Sequence, residues 1–235
     1  MALAEDLQAL TTRTLSALEG SHDYCTYTKR VWRLLQQIVK EGRKFTFRNP
    51  TTGTRVDEQV LLGRAQLYVT DYLISFTFQH FVSLFEDFFF DLLRCWLAAY
   101  PGSLSKKQVE MGAVLKALDK SAIVLTVVDK ELNKLKYERL ADWFGYLERL
   151  TNLGSPTADE IEQLAEIKAS RDILVHNNGI ANATYVSKGG SRARYNDGEK
   201  LDIPEQYHRA SWETINNVVR DVSAAAIGKV RHTHP

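Results

Sequence analysis

Apolar residues recur along most of this chain at intervals of three and four, the spacing of one helical face. Residues 2–18 and about 24–41 read as two amphipathic helices, broken at Glu19-Gly20-Ser21 and ended by Gly42. Lys44-Phe45-Thr46-Phe47-Arg48 alternates polar and apolar. The turn cluster Asn49-Pro50-Thr51-Thr52-Gly53 follows, then Thr54-Arg55-Val56, which predicts a small β-hairpin over 44–56. Residues 58–100 form the most apolar stretch. At about 100° per residue, Tyr72, Gln79, Ser83, Glu86, Asp87, Asp91 and Arg94 gather on one arc, with Ile74, Phe78, Phe81, Phe85, Phe88, Leu92 and Trp96 opposite. A coherent charged arc argues against a membrane span and for the central helix of a bundle or a subunit interface, ended at Pro101-Gly102.

Further helices are predicted over 105–118, 121–136 and 138–151. Ser155-Pro156 breaks the chain. Thr157 and Glu160 then supply a capping box, and the helix they open runs to about Asn177, with Gly179 placed to end it. Residues 182–203 read as a loop and about 205–230 as a last helix. The pattern predicts an all-α bundle with long central helices. Residues 1–57 are an N-terminal helical elaboration packed on a main domain of 58–235, the whole forming one unit.

Composition adds bounds. Of 235 residues, 44% are hydrophobic and 25% charged, as in ordinary globular chains. Thirty basic residues against twenty-nine acidic ones leave a net charge of +1, so bulk charge does not announce a nucleic-acid binder. Cys25 and Cys95 show no metal-ligand spacing and are expected to be reduced thiols. The N-terminus lacks the basic region of a secretory signal, and a cytoplasmic location is expected. The terminal RHTHP carries too few histidines for a metal site. No Ser/His/Asp arrangement, GxGxxG, P-loop or HExxH motif occurs.

Residues 170–179, SRDILVHNNG, carry the candidate chemistry. On the wheel of residues 161–176, Ile161, Leu164, Ile167, Leu174 and Val175 define one apolar face, and Arg171 falls near its centre. A guanidinium there needs an acidic partner, a wet cleft or an anionic ligand. Glu86, on the edge of the central helix's polar arc, is a candidate partner. His176 lies five residues on, about 140° around an ideal helix from Arg171. The two converge only through the reach of the arginine, an irregular helix end, or a second subunit. Asp172 and His176 share a face, so Asp172 can hold the imidazole and favour its protonated form. The plainer reading is that an arginine and a histidine at this spacing are commonplace.

The segment ASRDILVHNNGIANATY resembles the signature of the HEPN superfamily of all-α nucleotide-binding domains: an Arg, a polar residue, further residues, then a His toward a helix end. Arg171, Asp172 and His176 match in order. FVSLFEDFFFDLL is similar to the helix beside the motif helix in larger branches such as the RiboL-PSP type. The resemblance covers roughly residues 60–230 and leaves 1–57 outside. It implies a metal-independent endoribonuclease, with no metal and no cofactor, acting as a homodimer that sets two motif helices into one cleft. It also implies a role as a toxin or in defence against phage, with an antitoxin or defence-system partner. In that chemistry His176 is the general acid or base for attack by the RNA 2′-hydroxyl. Arg171 stabilises charge on the phosphoryl oxygens. Asp172 orients His176, and Asn177 contacts phosphate or backbone.

Other features have two readings each. Lys188, Arg192 and Arg194 are a phosphate-gripping flap or a solvated loop. His80, Asp87 and Asp91 are a row of metal ligands or a salt-bridged face. Glu162 and Glu166 are expected at the surface. Tyr185 and Tyr195 either stack on bases or pack. The second functional reading is a catalytically inactive HEPN-fold module that binds RNA, a nucleotide or a protein. The third is a purely structural helical protein, with Arg171 in a core ion pair.

Overall fold

The computed structural model describes residues 2–43 and 47–233. It is an all-α bundle carrying one short hairpin, as the periodicity predicts. Helix α1 spans Ala2–Lys40 without interruption. The expected break at Glu19-Gly20-Ser21 is absent because the buried stripe runs through it. Leu7, Leu10, Thr14, Leu18, Ser21 and Cys25 all face inward, while Gly20 points to solvent. Ser21 Oγ meets His80 Nδ1 at 3.1 Å, and Trp212 Nε1 donates to the Leu18 carbonyl at 3.1 Å. Tertiary packing outweighs the roughly 1 kcal/mol that one helical glycine costs.

Strands β1 (Phe47–Arg48) and β2 (Arg55–Val56) pair antiparallel around an Asn49 turn closed by Gly53 at φ +67°. Lys44, Phe45 and Thr46, part of the expected hairpin, lie outside the described residues. Asp57 caps α2 (Glu58–Leu67), which passes through a π-helical turn, Tyr68–Tyr72, into the central helix α3 (Leu73–Ala99). The inner arc of α3 is buried as the wheel predicts. Phe89 stacks on Trp143 at 5.5 Å and meets Phe144 edge-on at 5.1 Å.

A 3₁₀ turn, Pro101–Leu104, follows α3, and of the helix expected over 105–118 only the short α4 (Met111–Lys116) forms. No α4 residue is buried, so nothing rewards extending it. Helices α5 (Lys120–Leu135) and α6 (Leu140–Thr151) follow. The Thr157–Glu160 capping box opens α7 (Ala158–His176). The segment 182–203, expected to be a loop, contains α8 (Ala183–Gly189), opened by the Asn182 side chain accepting from the Tyr185 amide. Helix α9 (Glu205–Thr233) closes the bundle.

Helix α3 is the axis: α1, α5, α7 and α9 all pack on it. One continuous core joins residues of α1 to those of α3, α7 and α9. Among the described residues no helix is long and apolar enough to cross a membrane.

His208 pins α9 to α3. The Thr77 hydroxyl donates to the Leu73 carbonyl at 2.7 Å and faces His208 Nε2 at 2.8 Å, so the imidazole is the donor there. Burial, with Lys29 and His22 nearby, pushes the His208 pKa down to about 4. Between about pH 4 and its ordinary value of 6.5 the unfolded chain binds a proton here that the folded chain does not. Stability is therefore expected to fall as the pH drops through that window. The thermal midpoint measured from pH 7 to pH 5 checks this, and His208→Gln should flatten the slope.

Candidate functional site

Helix α7 is positioned from both sides. Its buried stripe includes Leu164, Ile167 and Ile173, with Ile161 and Leu174 partly buried. Val175, expected on that face, is exposed. Arg171 lies within the stripe and its side chain is only 13% exposed. Glu86 of α3 is its partner: Arg171 Nη2 donates to Glu86 Oε2. Lys168 Nζ also reaches Glu86 at 3.2 Å and Asp172 at 3.0 Å. Asp172 lies 3.3 Å from Arg171 Nη1 and 3.8 Å from Lys188 Nζ. Two carboxylates thus hold three cations, which limits the desolvation cost of burying them.

Two donors are left over. Arg171 Nε is buried and has no hydrogen-bond partner, and Trp143 Nε1, beneath Lys168, is in the same condition. An unmet buried donor costs about 1–3 kcal/mol. Both residues line a cleft of about 670 Å³ between α3 and the end of α7. Glu86, Arg171, Asp172, His176, Asn177 and Lys188 line it too, facing Asp87, Arg94, Lys136 and Tyr137.

The helix end sets the rim. The amides of Asn177 and Gly179 both donate to the Ile173 carbonyl, at 3.0 and 3.1 Å. The turn needs two consecutive positive φ values, Asn178 at 52° and Gly179 at 76°. Asparagine and glycine adopt these most readily. His176 is left exposed on the cleft wall. The Asn177 side chain bonds the Ile180 carbonyl and so braces the turn.

Six of the expected site residues therefore meet at one cleft, but not all in the expected relations. Asp172 does not hydrogen-bond His176; its oxygens are taken by Lys168, Arg171 and Lys188. Arg192 and Arg194 are not phosphate-gripping residues of this cleft. Arg192 pairs with Asp159 and Glu162 near the start of α7. Arg194 lies 3.3 Å over the Tyr207 ring and donates from Nε to Glu166 at 3.1 Å.

Glu166, expected at the surface, is 4% exposed. It accepts from Ser170 Oγ at 2.7 Å, Tyr185 OH at 2.9 Å, Tyr207 OH at 2.5 Å and Arg194. Tyr185 is buried in that web and offers no face to a base. Burial, with the Glu166 charge beside them, raises the pKa of both tyrosines, so they remain donors. The sequence signal was available: Glu166 stands seven residues before Ile173, on the same side of the helix. Asp91 pairs with Arg13 and Arg94. Among the described residues no group of three His, Cys, Asp or Glu is placed to hold a metal ion.

Comparison with protein-family models, curated proteins and solved structures finds no match to this chain.

The two arginines after α8 should separate sharply in stability. Arg194→Ala strands a buried carboxylate and is expected to cost about 3 kcal/mol. Arg192→Ala breaks an exposed pair and should cost less than about 1 kcal/mol. Urea denaturation of the two variants measures both.

Proposed function

We propose that this protein is a metal-independent endoribonuclease of the HEPN type, with Arg171 and His176 as its working pair. The observation that carries the reading is Arg171 itself. It is held in an open cleft by Glu86, with a buried Nε–H still unmet, on the wall that also carries His176. A phosphoryl oxygen in the cleft would be the acceptor for this donor once the Arg171 side chain turns its Nε–H toward the opening.

The chemistry needs little else. Exposed at the rim, His176 takes the proton of an RNA 2′-hydroxyl. The 2′-oxygen attacks the adjacent phosphorus, and the 5′-oxygen leaves with a proton from solvent or from a second copy of the site. Arg171 neutralises charge that grows on the non-bridging oxygens. Lys188, 41% exposed at the side chain and loosely tied to Asp172, adds a mobile cation for the flanking phosphate. The products are a 2′,3′-cyclic phosphate and a 5′-hydroxyl. A homodimer facing two such clefts across a two-fold axis would supply both a base and an acid.

A second reading is favoured by one observation: Asp172 is committed to three cations, and no described residue orients the imidazole. On that reading the cleft binds RNA or a nucleotide without turnover.

End-labelled single-stranded RNA and tRNA, incubated in EDTA, distinguish the two. The wild type is expected to cut, leaving cyclic-phosphate ends, while His176→Ala loses about 100-fold or more of the rate. Arg171→Ala should lose a comparable factor. Retained cutting in folded His176→Ala, or cutting only with added divalent metal, would overturn the nuclease reading. A gel shift without cutting would establish the binding module instead.

A further inference from the structure

The far end of α1, the hairpin, α2 and the π-helical turn form an arm whose surface differs from the rest of the molecule. Beyond Lys29 no residue of α1 is buried. Residues 27–72 hold nine Lys and Arg against four Asp and Glu, a net of +5. The whole chain is only +1, so the remainder carries −4. The arm is the basic pole of a nearly neutral protein. Its positive charge is largely uncompensated: Arg30, Lys40, Arg55 and Arg64 make no ion pair with any described residue.

The same surface displays aromatic rings in a row. Trp32 meets Tyr68 at 6.2 Å between centroids, Tyr68 meets Tyr72 at 6.0 Å, and Tyr72 stacks on Phe76 at 6.0 Å. Phe76 is 64% exposed and Tyr72 45%. On α1, Tyr27 is also exposed and carries the Arg30 guanidinium at 5.9 Å. Side chains this apolar are costly to leave in water, and their clustering marks a binding surface.

We propose that this arm is a platform for single-stranded nucleic acid. Exposed rings stack on unpaired bases, and unpaired cations track the phosphates, a combination that binds single strands with little sequence preference. A duplex hides its base faces, so the rings would gain nothing from one. A second copy docking arm to arm is a poor occupant, because it would bring an equally basic surface against this one. The platform stands apart from the cleft reading, since binding here needs no cleavage. If both hold, the arm retains the RNA that the cleft cuts, and the substrate class is single-stranded.

Fluorescence anisotropy on the full chain tests this. The first probe is an oligodeoxythymidylate about 20 nucleotides long, which has no 2′-hydroxyl and cannot be cut by this route. Tyr68→Ala/Tyr72→Ala/Phe76→Ala is expected to bind about tenfold or more weakly than the wild type. Arg30→Glu/Arg64→Glu should lose affinity at low salt and show a shallower dependence on salt concentration. Both sets lie at exposed positions, and unchanged melting confirms that they fold. His176→Ala should bind the probe, and oligouridylate, as the wild type binds the deoxy strand, so a failed nuclease reading leaves this result standing. Affinity within about twofold of the wild type for both arm variants would overturn the proposal. So would equal binding of a duplex of the same length. A change of oligomeric state in light scattering with unchanged probe affinity would make the arm an interface between copies, and overturn it as well.

Discussion

A guanidinium cannot be left alone inside an apolar stripe, and that constraint organises this molecule. Arg171 sits on the buried side of α7, and the acceptor it finds on another helix is Glu86 of α3, with Asp172 of its own helix beside it. Satisfying the pair sets the rotation of α7 about its own axis and its register along α3. Lys168 and Asp172 then complete a charged web that keeps the junction from closing into a dry core. The cleft beside them has charged and aromatic walls and an arginine Nε without an acceptor.

Helix α7 has a second anchor of the same kind. Glu166, on another side of the helix, draws in Tyr185 from α8, Tyr207 from α9 and Arg194 from the intervening segment. With Glu86 and Glu166 acting from different directions, α7 has little freedom to roll. Its C-terminal turn, braced by Asn177, Asn178 and Gly179, is presented on a rigid support. Rigid support of a few polar side chains is what a catalytic or recognition site requires. By contrast, no residue of α1 beyond Lys29 and none of α4 is buried.

Much of this was legible in the chain, for reasons that can be named. The long period of buried phenylalanines in α3 made its inner and outer arcs readable, and with them Glu86. The α7 capping box is a local signal that no distant contact needs to complete. What stayed hidden was decided by partners remote in sequence. Gly20 looked like a helix break because its cost is local, whereas Trp212 and His80, which outweigh it, lie far along the chain. Glu166 and Arg194 looked like surface charges because neither reveals alone that the other, with two tyrosines, will bury it. Asp172 was expected on His176 by helical spacing, but its oxygens are taken by three nearby cations. Spacing identifies which groups can meet, and the charge budget of the assembled site decides which do.

The central claim is that Arg171 keeps a donor free for a phosphoryl oxygen, rather than serving only as a tie between helices. Its Nε–H resonance can be observed directly by ¹⁵N NMR and assigned with Arg171→Lys. Titration with a 2′-O-methyl oligoribonucleotide, which retains the phosphates but cannot be cut, is expected to shift that resonance and slow its exchange with water. A resonance that stays in place while the oligonucleotide saturates the protein would show that Arg171 is structural, and would contradict the account.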